Sequence, residues 1–149
     1  MLLGLQPRGT ILLDKIVALL KEISGVEVPS GYLDATFHRD DFRRRDFPLK
    51  ANETKIDFLV EGKKVILIDD VLYKGRSVRA AMDAMIAFGR PQKVELMVLV
   101  DRRLTRDFPI MPDYVGVNIN TLDSQYVVVE WREQGNPEDG IWITEKAKS

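Results

Sequence analysis

Apolar residues in the first 25 positions form one short run and then one amphipathic stretch. The run Leu2-Leu3-Gly4-Leu5 predicts a short buried strand that begins at the second residue. Residues 6–9 read as a turn, and Thr10 is predicted to cap the helix that follows. Apolar residues then recur at helical spacing up to Gly25, where the helix is expected to end: Leu12, Leu13, Ile16, Val17, Leu20 and Ile23.

The middle of the chain repeats the order of strand and helix. Residues 32–38 alternate with a period of two, and Val65-Ile66-Leu67-Ile68 is a continuous β-branched run typical of a strand covered on both faces. A helix is predicted next, with its apolar face on Val78, Ala81, Met82, Met85 and Ile86, and it should end before Gly89. Residues 94–100 predict another buried strand, and shorter strands follow. This order predicts an α/β protein with a mostly parallel central sheet flanked by helices.

Between these elements lies a charged stretch without either periodicity. It begins at Arg39, holds four arginines and three aspartates by residue 46, and continues to about residue 54. A loop of this length in a compact domain is usually functional or disordered. Its arginines can equally form a self-neutralising exposed loop with the aspartates, so the pattern leaves both interpretations open.

Composition narrows the chemistry. The chain has 149 residues, which suits a single domain spanning 1–149, and its net charge is −1. It has no cysteine, which excludes disulfides, thiolate zinc sites and a cysteine nucleophile, and one histidine, His38, which excludes a multi-histidine metal site. Neither a membrane span nor a signal peptide is visible, so we expect a cytoplasmic protein.

The sharpest motif joins the predicted strand at 65–68 to the next helix. Two carboxylates, Asp69 and Asp70, follow the strand, and a turn then brings Gly75, Arg76 and Ser77 to the start of the helix. Successive backbone N–H groups in such a turn, together with the helix N-terminus, favour a phosphate, and the acids suit sugar hydroxyls or Mg²⁺. Neither the Walker nor the Rossmann glycine pattern is present. The alternative interpretation is an ordinary turn with two solvated aspartates.

Residues 65–77 resemble the phosphoribosyl-pyrophosphate (PRPP) signature of type I phosphoribosyltransferases. Three further groups of segments resemble, within that superfamily, the bifunctional pyrimidine operon attenuator/uracil phosphoribosyltransferase (PyrR) family. They are 34–41; 71–73 with 89–91; and 99–102 with 109–110 and 113–116. The resemblance covers essentially the whole chain. It implies the type I phosphoribosyltransferase fold with a small hood formed mainly by the C-terminal segment, and a homodimer or higher oligomer.

The resemblance also implies residue roles. Asp69 and Asp70 would hold the ribose hydroxyls of PRPP, directly or through Mg²⁺. Arg8 and Gly9 match the pyrophosphate loop, and the flexible loop at about 39–54 would close over the site with Arg39 as a catalytic residue. The PRPP loop, 69–77, would cradle the 5′-phosphate with Tyr73, Lys74, Gly75, Arg76 and Ser77. The base would be read by Asp101, Arg102, Tyr126 and Val127.

Three departures from the family pattern bear on function. An N-terminal helical element expected before the first strand is missing, so we expect a catalytic core short of its first element. Lys74 replaces a small hydroxyl residue. The segment from Asp101 to Met111 carries an insertion and lacks some basic positions, which leaves Arg102, Arg103 and Arg106 as the candidate contacts to an mRNA leader.

The main hypothesis is thus a Mg²⁺-dependent uracil phosphoribosyltransferase that makes uridine monophosphate (UMP), with or without mRNA attenuation. Two alternatives stay open: an RNA-binding attenuator that senses nucleotides with little catalysis, and a hypoxanthine/guanine phosphoribosyltransferase. Tyr73 argues against the purine alternative, because that branch typically places an acid there.

Overall fold

A five-stranded parallel sheet with one long helix on each face forms the body of the protein. The computed structural model describes residues 1–35 and 60–145. In chain order the elements are β1 (Leu2–Leu5), α1 (Gly9–Ser24), β2 (Ser30–Leu33), β3 (Lys64–Leu72), α2 (Arg76–Met85), β4 (Lys93–Arg103), β5 (Tyr114–Asn120), β6 (Tyr126–Glu130) and β7 (Gly140–Thr144). The strand order is β2-β1-β3-β4-β5, and every pair is parallel. The predicted α/β class and parallel sheet are confirmed.

The side chains on the two faces of β3 pack into two separate apolar cores. Val65 and Leu67 pack with the α2 side of the sheet, whereas Ile68 packs with Leu12 and Leu13 of α1. A central strand whose side chains are buried on both faces needs a continuous apolar run, and this explains the sequence of residues 65–68. In the described ranges, no helix is long and apolar enough to cross a membrane.

Strands β6 and β7 form a separate antiparallel hairpin, which we call the hood hairpin. Trp131, at the end of β6, is buried in the α1 core, and Lys15 of α1 donates to Glu133 at 2.6 Å. The hairpin is therefore fastened over the N-terminal part of α1. Of the two tryptophans in this region, Trp131 is buried, whereas Trp142 is 45% exposed.

Some local predictions were wrong. Helix α1 begins at Gly9, with Arg8 as its N-cap, so Thr10 lies inside the first turn and its hydroxyl donates to the carbonyl of Pro7. Met82 of α2 and Ile86, directly after it, are 36% and 67% exposed, so they are not core residues. The helix instead buries a strip of small residues, Ala80, Ala81 and Ala84, beside Val78 and Met85, which lets it approach the sheet closely.

Strand β3 runs four residues further than predicted, because it keeps pairing with β4 through Leu72. Asp69 and Asp70 thus lie within β3 rather than after it. His38, Arg39 and the loop predicted at about 39–54 lie outside the described residues.

Candidate active site

The loop between β1 and α1 passes directly over β3 at Ile68 and Asp69. A Cβ atom on Gly9 would lie 3.2 Å from both the carbonyl carbon of Ile68 and the Cα of Asp69, and would overlap the Ile68 carbonyl oxygen. Only glycine allows the two backbones to approach this closely. The Gln6–Pro7 peptide bond in the same loop is cis. The contact brings the N-terminus of α1 and Arg8 to the edge of the sheet where the acid pair lies.

Asp69 and Asp70 form an acid pair here. The backbone N–H of Asp70 donates to Oδ1 of Asp69 at 2.8 Å, and the N–H of Val71 donates to Oδ1 of Asp70 at 2.7 Å. Burial, and then the neighbouring carboxylate of Asp70, raise the pKa of Asp69 well above its usual value, whereas Arg8 opposes the shift. A bound cation, or hydroxyl groups that donate hydrogen bonds to the two carboxylates, would relieve the repulsion between them.

The loop after β3 ends in a helix N-terminus. Gly75 is the N-cap of α2 and has φ +90°, a conformation that favours glycine. The N–H of Arg79 donates to the Gly75 carbonyl at 3.1 Å. The preceding amides lie at the positive end of the helix dipole, so the loop offers an anion site next to the acid pair.

Residues 101–110 hold this loop from outside. Arg106 donates from Nη1 to the carbonyl of Tyr73 at 2.6 Å, from Nε to the carbonyl of Ile110 at 3.0 Å, and from Nη2 to the buried carboxylate of Asp101. The backbone N–H of Asp107 donates to the carbonyl of Lys74 at 2.9 Å, and its carboxylate pairs with Arg76. The loop conformation is thus fixed by side chains that are far away in the sequence.

A cleft of about 250 Å³ lies between the acid pair and the hood hairpin. Its lining combines charged groups from the sheet edge with the inner side of β6: Arg8, Asp70, Tyr126, Val127, Val128, Val129, Trp131 and Gln134. A ligand in it would meet a carboxylate and a guanidinium at one end and aromatic and aliphatic groups at the other. In open α/β sheets, ligands bind at this carboxyl edge.

Comparison with known proteins decides the family. Residues 1–134 match the family of the phosphoribosyl transferase domain. The Bifunctional protein PyrR of Geobacter sp. (strain M21) is 44% identical over 140 residues, which are 94% of this chain and 78% of that protein. The one from Deinococcus deserti is 43% identical over 148 residues, or 99% of this chain and 80% of that protein.

The chain belongs to the PyrR family of phosphoribosyltransferases.

The fold of this PyrR family member is also that of more distant phosphoribosyltransferases. The hypoxanthine phosphoribosyltransferase of Trypanosoma cruzi matches with a TM-score of 0.66 at 16% identity, over 95% of this chain and 74% of that chain. A hypoxanthine-guanine phosphoribosyltransferase of Bacillus anthracis matches with a TM-score of 0.61 at 16% identity, over 85% of this chain and 67% of that chain. At such identities the likeness concerns the fold alone.

The predicted site residues of this PyrR family member differ in how they relate to the cleft. Arg8, Asp70, Tyr126 and Val127 line it. Gly9 and Asp69 are chain neighbours of Arg8 and Asp70 and contact each other, and the loop at 73–77 follows the acid pair along the chain. Lys74 lies 3.8 Å from carboxylate oxygens of both Asp107 and Asp123, so part of its charge is balanced within the protein.

Asp101 and Arg102, predicted to read the base, are not among the described residues that line the cleft. Both are 5% exposed. Arg102 and Arg106, predicted to contact RNA, make internal hydrogen bonds instead, and Arg103 is the exposed member of the three. Burial of this kind disfavours a direct phosphate contact by Arg102, and RNA binding stays a prediction.

Sequence reasoning missed several residues of the site. Trp131 and Gln134 line the cleft, and Thr105, Arg106 and Asp107 hold the loop. Trp131 has a usable signal, since it follows an apolar strand directly. The loop-holding residues have none, because their partners lie about 30 positions earlier in the chain.

Proposed function

We propose that the protein transfers the phosphoribosyl group of PRPP to uracil, giving UMP and pyrophosphate, with Mg²⁺. The observation that carries this proposal is the cleft, which sets Asp70 of the acid pair and Arg8 at the start of α1 against β6 of the hood hairpin. The anion loop at the start of α2 follows the acid pair along the chain. The reaction forms a bond between uracil N1 and ribose C1 and breaks the bond from C1 to the pyrophosphate oxygen, which keeps the electron pair of that bond, while the N1 proton is released to solvent. No nucleophilic side chain is required, in keeping with a chain without cysteine.

The acid pair and the loop together suit a ribose 5-phosphate unit. The loop offers backbone amides at the start of α2 to a dianionic phosphate, and the Ser77 hydroxyl is a further donor there. Asp69 and Asp70 accept hydrogen bonds from vicinal hydroxyls. Because Gly75 and the hydrogen bonds of Arg106 fix the loop in advance, little entropy is lost when the phosphate binds.

The turn at the start of α1 suits the leaving group. Arg8 lies at the helix N-terminus and lines the cleft opposite the hood hairpin. Its guanidinium and the helix dipole supply positive charge where pyrophosphate develops negative charge. Arg39 is proposed to add charge there, although it lies outside the described residues.

The donor set fits magnesium shared with a substrate. No cluster of three or more potential ligands occurs in residues 1–35 and 60–145, so the described part of the chain does not build a protein-only cage. Mg²⁺ commonly uses one or two carboxylates plus substrate phosphates and waters, and Asp69 and Asp70 supply that pair. The ion would neutralise the pyrophosphate charge, and chelation is expected to stop turnover.

Strand β6 suits a pyrimidine base. Among residues 1–35 and 60–145 its only strand partner is β7, on one edge, and the backbone N–H and C=O groups of its other edge are proposed to serve the base. Tyr126 offers a ring that is 44% exposed, and Val127 closes the cleft behind it. Uracil presents carbonyl acceptors and one N–H donor on adjacent positions, which a strand edge can match.

The relatives at 43–44% identity favour uracil over a purine, since the purine phosphoribosyltransferases resemble this chain only at the level of the fold. RNA binding is not part of the proposal. If it occurs through phosphate-contacting arginines, affinity should fall steeply between about 50 and 200 mM salt.

Initial rates with PRPP and Mg²⁺, measured in parallel with uracil, hypoxanthine and guanine, test the proposal. We expect uracil-dependent release of pyrophosphate and formation of UMP, and loss of both when EDTA is added. Turnover with a purine but none with uracil would contradict the assignment of the base.

A further inference from the structure

Arg102 lies between the anion loop and the strand that faces the base. It stands near the end of β4 and is 5% exposed. On one side its guanidinium stacks on the ring of Tyr73, with Cζ 3.8 Å from the ring centroid. Tyr73 opens the loop that holds the phosphate, so one face of Arg102 is in direct contact with that half of the site.

The edge of the same guanidinium holds the turn before β6. Nε donates to the Thr121 hydroxyl at 2.9 Å, and Nη2 donates to the carbonyls of Gln125 at 2.8 Å and Leu122 at 3.4 Å. Gln125 directly precedes Tyr126, which lines the cleft. Arg102 therefore contacts the turn that leads directly into β6.

Only arginine offers both contacts at once. Its planar group stacks through its face while its edge donates several hydrogen bonds, whereas a lysine ammonium is a compact point charge without a face. The Tyr73 end of the stack is itself held, because Arg106 donates to the Tyr73 carbonyl. The stack and the hydrogen bonds thus form a continuous series of contacts from the loop to the 121–125 turn.

We propose that Arg102 is a positioning residue that couples the phosphate loop to the base-reading strand through its stack on Tyr73. The inference rests on the proposed function and deepens it: correct seating of the phosphate loop raises the affinity of the cleft for the base. Arg102 itself does not contact the base.

Calorimetric titration with two ligands tests the coupling. Ribose 5-phosphate reports on the phosphate half alone, and UMP reports on both halves. The dissociation constant of ribose 5-phosphate divided by that of UMP therefore measures the contribution of the base. The variants are Arg102→Lys, Tyr73→Leu and the double variant. Arg90→Lys, at an exposed arginine, is the matched control. All titrations are made below the melting midpoint of every variant.

We expect each single variant to reduce the ratio by about fivefold, and the double variant to reduce it little further, because both changes break one path. Tyr73→Phe keeps the ring and should restore the ratio that Tyr73→Leu loses. If Arg102→Lys does not fold, Thr121→Val, which removes one acceptor of Arg102, takes its place in the same cycle.

Three results would overturn the coupling. One is a ratio that stays within about twofold of the wild type in both single variants, even with a lower melting midpoint. Another is a reduction in Arg102→Lys alone, and the last is fully additive effects, which would mean separate contacts. Wild-type binding of IMP or GMP in place of UMP would contradict the proposed base instead, and that nucleotide would then serve as the probe in the same cycle.

Discussion

Replacement of Gly9 by alanine perturbs the contact on which the site geometry depends most. The added methyl group would overlap the Ile68 carbonyl oxygen and press on the Asp69 Cα, and both neighbours are backbone of a central strand. Flexible side chains can rotate away from such a group, but a paired strand cannot. Either the β1–α1 loop lifts from the sheet or the end of β3 moves with its two aspartates.

Two opposing contributions set the size of the effect. Inserting a methyl group into a tightly packed place costs about 1–3 kcal/mol. Alanine in place of glycine in a helix returns up to about 1 kcal/mol, less at the first position, where Gly9 stands. The expected net loss of stability is about 1–2 kcal/mol. Displacement of the acid pair should also raise the KM for PRPP about tenfold, equivalent to about 1.4 kcal/mol.

Urea unfolding and steady-state kinetics on the same preparation measure both effects. Gly25→Ala, at the other end of α1, is the control: Gly25 has φ +71° and open space around its Cβ position. It should lose about 1 kcal/mol through backbone strain and keep the wild-type KM for PRPP. A Gly9→Ala protein as stable as the wild type with an unchanged KM would refute the reasoning.

Three further predictions concern charged residues. Asp70→Asn should lower kcat/KM for PRPP about tenfold to a hundredfold, since a hydrogen bond to a charged group contributes about 1.5–3 kcal/mol; Asp83→Asn, at an exposed carboxylate, is the control, and equal kinetics would refute the ribose assignment. The pKa of Asp69 is raised in the folded protein, so its ionisation costs stability as pH rises above 3.8, the pKa of the unfolded chain. Asp69→Asn should therefore stabilise the protein more at pH 7 than at pH 4, while reducing PRPP use. Thermal unfolding at the two pH values measures this, and an equal effect at both would contradict it. Arg106→Met leaves the buried Asp101 carboxylate without its partner and should lower the free energy of unfolding in urea by about 3 kcal/mol. A change below about 0.5 kcal/mol, typical of a surface position, would contradict the structural role of the Arg106–Asp101 pair.

The chain pattern was enough to predict the elements whose burial is simple. The run at 65–68 is apolar because β3 is covered on both faces, and Gly25 ends α1 with a left-handed conformation, so both local signals agree with the fold. The face of α2 was less predictable. Alanine is only weakly hydrophobic and contributes little to a periodic pattern, yet Ala80, Ala81 and Ala84 are buried against the sheet.

At the candidate site, the residues proposed to touch a ligand carry a clearer local sequence pattern than the residues that hold them in place. Asp70 and Gly75 belong to one continuous segment with a local pattern. The roles of Arg102 and Arg106 depend on Tyr73 and Gln125, which are distant in the sequence, and a lone arginine near a turn has the same appearance whether it faces solvent or the interior. The sequence predicted an RNA-facing patch there, and the structure shows two arginines engaged within the protein.

A crystal structure of the protein with UMP tests the central claim most directly. We expect the 5′-phosphate on the backbone amides of residues 73–77 and the ribose hydroxyls at Asp69 and Asp70. The uracil ring should lie against Tyr126 and the backbone edge of β6. A 5′-phosphate bound away from the start of α2, or a base outside the cleft between the acid pair and the hood hairpin, would contradict it.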